Sequence, residues 1–245
     1  LQLFGSAILD QGSTLQLNNG ELDPLAVELR GGTVSGTGTV GGEVLSQGQI
    51  VPGGIEQTGK ISFLGSVDQL SRGSLIIDLG DNADRRNLQF DQVEVDGNFG
   101  VDGKLELVTL ESYRPAEGEE DDFLIVATTQ NALGEFDAIF LDGQQLESEF
   151  LVVSDRRAIR DHVGGGRFIT VGYPNEGVEV TNYTAWAGDT DGDGVVDFDD
   201  FLVQSLNFGL DGVDWTEGDF DNDGRVSFAD FLRLSGNFGN EVDRI

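Results

Sequence analysis

Gly31-Gly32-Thr33-Val34-Ser35-Gly36-Thr37-Gly38-Thr39-Val40 is the stretch on which the fold turns. Its side chains are too small for an ordinary sandwich strand. The run suits tight stacked rungs, where each coil of backbone rests on the next and small residues line the bends. On either side, Leu15-Gln16-Leu17, Val27-Glu28-Leu29, Ile61-Ser62-Phe63 and Leu75-Ile76-Ile77 carry the apolar pairs of half-buried strands. Asn19-Gly20, Gly31-Gly32, Gly41-Gly42 and Gly53-Gly54 mark the corners between them. No fixed repeat length joins these pieces. The expected class is mainly β, with β-helix or β-roll rungs over residues 1–80.

Beyond residue 80 the alternation is cleaner. Leu88/Phe90, Val93/Val95, Phe99/Val101 and Leu105/Leu107 are separated by Asp96-Gly97 and Asp102-Gly103, dipeptides typical of hairpin turns. An antiparallel hairpin series is expected over 87–110, then an acidic loop over 111–122. Phe123 to Ala127 reads as a strand buried on both faces, and further strands are expected at 136–141, 150–153, 167–171 and 178–184. Together, residues 81–187 predict an antiparallel, sandwich-like cap. Arg156 to His162 reads as a polar loop whose arginines pair with the acidic loop.

Residues 31–136 resemble the C-terminal end of autotransporter-type passenger β-helices. The likeness rests on the "GGTVSGTGTV" rung, the "PGG" corner at 52–54, the "GSLIIDLG" strand at 73–80 and "VEVDGNFGVDGKLELV" at 93–108. It implies a right-handed β-helix or β-roll closed by a β-sandwich, and no catalysis.

The last part, 188–245, is of another kind. Asp189-Thr190-Asp191-Gly192-Asp193-Gly194-Val195-Val196-Asp197-Phe198-Asp199-Asp200 aligns without gaps, 30 residues on, with Asp219-Phe220-Asp221-Asn222-Asp223-Gly224-Arg225-Val226-Ser227-Phe228-Ala229-Asp230. Oxygen-bearing side chains fall at positions 1, 3, 5, 9 and 12, and glycine at position 6. A twelve-residue loop wraps a hard cation at this spacing. The expected ligands are Asp189, Asp191, Asp193, Asp197 and Asp200 with the Val195 carbonyl. In the second loop they are Asp219, Asp221, Asp223, Ser227 and Asp230 with the Arg225 carbonyl. Two Ca²⁺ ions are expected. Val196 and Val226, at position 8, are expected to pin the two loops together. Each loop runs into a matching helix, from 200 and 230, stopped by Gly209 and Gly239.

Residues 188–240 resemble the dockerin family of loop-helix calcium duplications, which dock onto cohesin modules. Positions 10 and 11, where that family commonly carries a small hydroxyl pair, are here Phe198-Asp199 and Phe228-Ala229. The resemblance implies a cohesin-like partner, but not of the familiar specificity. Similar β-helix-plus-dockerin ends occur on large secreted proteins of environmental, planctomycete-like bacteria.

Composition narrows the function further. The 245 residues hold 45 Asp and Glu against 14 Lys and Arg, a formal net charge of −31. A nucleic-acid binder needs a basic face, which this chain lacks. With no cysteine, stability must come from packing, hydrogen bonds or metal. No run approaches the ~20 apolar residues of a membrane span. His162 is the sole histidine, and the two tryptophans, Trp186 and Trp215, accompany the calcium module rather than a cleft. The expectation is a non-catalytic, extracellular or cell-surface structural protein, or alternatively the dockerin-bearing tail of a polysaccharide-degrading enzyme. Leu1, Leu3, Ala7 and Leu9 share one face of an extended segment. That face fits either a first rung or a strand added to another copy's sheet edge in a head-to-tail filament.

Overall fold

The computed structural model describes residues 5–54, 56–80, 89–146, 149–153 and 156–242. Up to Leu141 the chain makes successive passes of short strands. The first pass is β1 (Ser6–Asp10) and β2 (Thr14–Leu22), and the second is β3 (Ala26–Arg30) and β4 (Thr33–Val40). The third is β5 (Glu43–Ser46), β6 (Gln49–Pro52) and β7 (Lys60–Phe63). The fourth is β8 (Val67–Gln69), β9 (Ser74–Leu79) and β10 (Gln92–Val95). The fifth is β11 (Phe99–Val101), β12 (Lys104–Thr109) and β13 (Glu119–Thr128), and the last is β14 (Ala132–Gly134) and β15 (Ala138–Leu141). Each strand pairs in parallel with its counterpart one pass away, which gives one six-stranded sheet in the order β1-β3-β5-β8-β11-β14. The remaining strands of these passes belong to a second, curled sheet.

Register turns the apolar pairs into columns. Ala7, Val27, Val44, Val67, Phe99 and Ala132 stack in one. Leu15, Val34, Ile50, Leu75, Leu105 and Ile139 stack in another. Most of these side chains are fully buried, and each fully buried aliphatic or aromatic one contributes roughly 1.5–3 kcal/mol. The Gly31–Val40 run supplies the bend between faces: β4 pairs with β6 as far as Gly36 and with β7 from Gly38 onward. Gly36 has φ 96°, and a Cβ there would collide with the carbonyl oxygen of Leu17 in the pass before.

Among the described residues, which leave out Leu88, the hairpins expected over 87–110 are not formed. β10, β11 and β12 do not pair with one another; each lies parallel to strands about 30 residues before and after it. Aspartate-glycine dipeptides turn the chain equally well from one face to the next, so local signals could not separate the two topologies. The parallel ladders thus continue past residue 80, and antiparallel pairing begins at the far edge of β13. There β20 (Gly177–Thr184) is followed outward by β19 (Arg167–Gly172), β18 (Arg156–His162) and β17 (Glu149–Val153), while β16 (Gln144–Gln145) folds back on β15. This extends the curled sheet. The acidic loop is shorter than expected, because β13 already starts at Glu119.

Arg156 to His162 is strand β18, not a loop. His162 accepts a hydrogen bond from the Gly166 backbone N–H and packs on Phe168. The arginine side chains expected to pair with the acidic loop lie outside the described residues, as do Leu1 and Leu3. Ala7 and Leu9 face the core from β1, which pairs with β3. Among the described residues no helix is long and apolar enough to cross a membrane.

One buried acid ties the passes together. Asp91, fully buried before β10, accepts from Gly59 N–H at 2.8 Å and Asp78 N–H at 3.0 Å. Burial pushes its carboxyl up to about 8, against the pull of those two N–H groups and with help from the neighbouring Asp78 charge. Folded chains therefore hold this proton up to about pH 8, whereas unfolded chains release it near the ordinary value of 3.8. Between those limits the folded state binds more protons, so this group's contribution to stability falls as pH rises, by up to ~1.4 kcal/mol per pH unit. In calcium, urea unfolding of the β body at pH 5, 6, 7 and 8 is expected to show a shallower fall for Asp91→Asn than for the parent. Parallel pH profiles would refute the assignment.

Candidate metal centre

The chain leaves β20 at Thr184 and passes through a short connector into α1 (Phe198–Asn207), a 3-10 turn (Trp215–Glu217) and α2 (Phe228–Asn237). Both helices start two residues earlier than the glycine and apolar pattern predicts. The reason is a capping box. Asp197 accepts from Asp199 N–H while Asp200 accepts from Asp197 N–H, and Ser227 and Asp230 repeat this 30 residues on. Loop positions 9 and 12 are thus also the N-cap and third residue of each helix.

Positions 1, 3 and 5 converge. One carboxylate oxygen from each of Asp189, Asp191 and Asp193 lies within 4.8 Å of the others, and Asp219, Asp221 and Asp223 make the matching group. The first residue of each triad is buried and held by its own loop. Asp189 accepts from Gly192 and Gly194 N–H, and Asp219 from Asp223 and Gly224 N–H. The reversal rests on Gly194 and Gly224, with φ of 88° and 84°. Asp200 and Asp230, also buried, do not join the triads. Asp200 Oδ1 accepts from Thr190 N–H and hydroxyl, and Asp230 Oδ1 from Phe220 and Asp221 N–H, so each twelfth residue clamps the loop's start to its helix. The Val195 and Arg225 backbones lie on the loop flank, in isolated bridges to Glu241 and Asp211.

Position 8 does not join the two loops directly, as the apolar valines suggested. Val196 exchanges backbone hydrogen bonds with Gly239 and Asn240, beyond α2, and Val226 with Gly209 and Leu210, beyond α1. Each loop is braced by the chain that leaves the other helix. Val196 and Val226 are fully buried beneath these braces.

Electrostatically the triads are unfavourable as bare carboxylates. Burial pushes Asp189 up to about 7, and repulsion from Asp200 and Asp191 adds to this, while the Tyr183 hydroxyl and Gly192 N–H oppose it. Asp200 is raised by burial, and Asp221 by desolvation followed by repulsion from Asp230 and Asp223. Asp221 Oδ1 is buried with no hydrogen-bond partner. Hard oxygen donors, a left-handed glycine in each reversal and an orphaned carboxylate oxygen fit a calcium-sized divalent cation. Sequence spacing did not reveal Tyr183, whose hydroxyl donates to Asp189 Oδ2 at 2.8 Å from β20. Nothing near the loop motif signals a partner six residues upstream of it.

The model of an EF-hand domain pair matches residues 185–205 and 216–236. No curated protein matches this chain. No solved structure matches it either. The tail is therefore an EF-hand pair with aspartate-rich loops, which points to a calcium-binding role.

Proposed function

We propose that this chain is a calcium-stabilised, non-catalytic structural protein of the cell exterior, in which a β-helical body carries a dockerin-like terminal module. The observation that carries the reading is the pair of matching aspartate triads on an EF-hand pair whose core is shared with the body. Asp189, Asp191, Asp193 and the Val195 carbonyl would hold one ion, and Asp219, Asp221, Asp223 and the Arg225 carbonyl the other. Asp197, Asp200, Ser227 and Asp230 complete the shells directly or through water. Bound Ca²⁺ supplies charge compensation, and the chain's own residues do the rest: they cap helices, brace loops and close a core. An exterior location suits a module that draws stability from calcium, since extracellular modules bind the ion even at weak affinity. His162, packed on Phe168 at the end of β18, has a structural role in this reading.

Asp189→Asn combined with Asp219→Asn tests it. The variant is expected to lose the calcium-dependent gain in helical circular dichroism, or to need over 100-fold more Ca²⁺ for it, with the β signal unchanged. A parental calcium response would refute the proposal.

The helices give the docking alternative a specific support. Phe198, Phe201, Phe231 and Phe228 form a row of rings across α1 and α2, with centroids 5.8, 6.4 and 5.8 Å apart. Phe198 is 58% exposed and Phe228 62%. An apolar row symmetric about the duplication, on an acidic module, suits a partner with an apolar pocket and a basic rim. Cohesin-type modules retained by the immobilised chain and released by Phe198→Ser with Phe228→Ser would favour this reading. No retention by the parent would remove it.

A further inference from the structure

The two halves of the duplication have different surroundings. Position 4 takes a left-handed backbone in both loops, as Gly192 (φ 69°) in the first and Asn222 (φ 56°) in the second. Asparagine adopts that conformation at little cost, so the backbone alone does not require glycine. The difference is the neighbour. A Cβ on Gly192 would lie 2.5 Å from the Phe168 ring of β19. The second distinction is at position 1, where Asp189 receives the hydroxyl of Tyr183 from β20 in addition to its own loop's N–H groups. The third is Trp215, from the 3-10 turn between the helices. Its indole N–H donates to the Asp189 carbonyl at 2.7 Å, and its ring lies against Gly166 in the turn between β18 and β19.

These contacts form one buried cluster, in which Phe168 and Tyr183 of the body pack with Val196, Trp215, Phe220 and Leu234 of the module. We propose that the first loop is a calcium-linked joint: ion binding there and docking of the module on the β body stabilise each other, while the second loop meets the junction through Phe220, packed on Trp215. The proposal rests on the calcium reading above. Tyr183 and Phe168 act as positioning residues, holding the Asp189 carboxylate and the loop backbone in one arrangement. Because coupling is reciprocal, whatever docking adds to calcium affinity at the first loop, calcium adds to docking.

Calorimetric titration of the full chain with CaCl₂ tests this. The parent is expected to show two unequal sites. Gly192→Asn transplants the residue the second loop already accepts, so it obstructs docking without denying the loop its backbone conformation. It is expected to weaken one site about tenfold, inside the usual range of such couplings, and to leave the other within twofold. Tyr183→Phe is expected to act in the same direction, and Asn222→Gly to leave both sites within twofold. Protease cleavage of the connector at 185–188 in saturating calcium should rise for Gly192→Asn and not for Asn222→Gly. Should Gly192→Asn fold poorly, Tyr183→Phe decides, since it removes a single oxygen. If Gly192→Asn and Tyr183→Phe both leave the constants within twofold, the joint is overturned while two-ion binding stands. A parent that binds no calcium removes the underlying reading, and the joint with it.

Discussion

Excess chelator is expected to unfold the terminal module while the β body keeps its fold. Several carboxylates per loop repel one another without a cation, and the loop residues also form the caps and braces of both helices. Binding energy for calcium is then folding energy for residues 188–242. A site filled at 1,000 times its dissociation constant contributes about 4 kcal/mol. In calcium, the melt followed at 222 nm should therefore lie well above the melt in EDTA. Chelation should also expose Trp215, now 6% exposed in the junction cluster, and shift its emission to the red. The β body depends on its own columns of apolar side chains, so a proteolytic fragment ending near the connector should survive. A module melt indifferent to EDTA would contradict this.

Gly36→Val is expected to prevent folding of the parallel passes, or to destabilise them by ~4 kcal/mol or more. Two effects combine at this corner. The backbone is at φ 96°, which a β-branched residue rarely adopts, and the added Cβ meets the carbonyl of Leu17 rather than a movable side chain. Relief would require separating two passes of the ladder and losing the hydrogen bonds between β2 and β4. Gly12 supplies the control: its φ is 83°, but nothing lies within 4 Å of a Cβ there. Gly12→Ala should cost only the strain of the left-handed backbone, roughly 1–2 kcal/mol. Urea unfolding of both variants separates collision from strain. Equal costs would mean that the corner is not close-packed.

The site was more legible than the body. Twelve-residue spacing, paired glycines and the internal duplication all lie close together in the chain, so local reading located the triads and the helices that follow. The small-residue run from Gly31 to Val40 was legible for the same reason, but not the bend within it between Gly36 and Gly38. Strand pairing was not. Parallel partners lie from 16 residues apart (Thr33 and Gln49) to 34 (Lys104 and Ala138), because the connections between faces differ in length. That irregularity hid the repeat and made β10, β11 and β12 look like hairpins. The burial of Asp91, the crossed braces at Val196 and Val226, and the hydroxyl of Tyr183 all depend on contacts between distant segments. No pattern within a short window encodes them.

Calcium stoichiometry on the metal-stripped full chain is the most direct measurement of the central claim. Equilibrium dialysis against CaCl₂ should give two ions per chain, with helical signal rising as they bind. No bound calcium at millimolar concentration, with α1 and α2 formed regardless, would contradict the account.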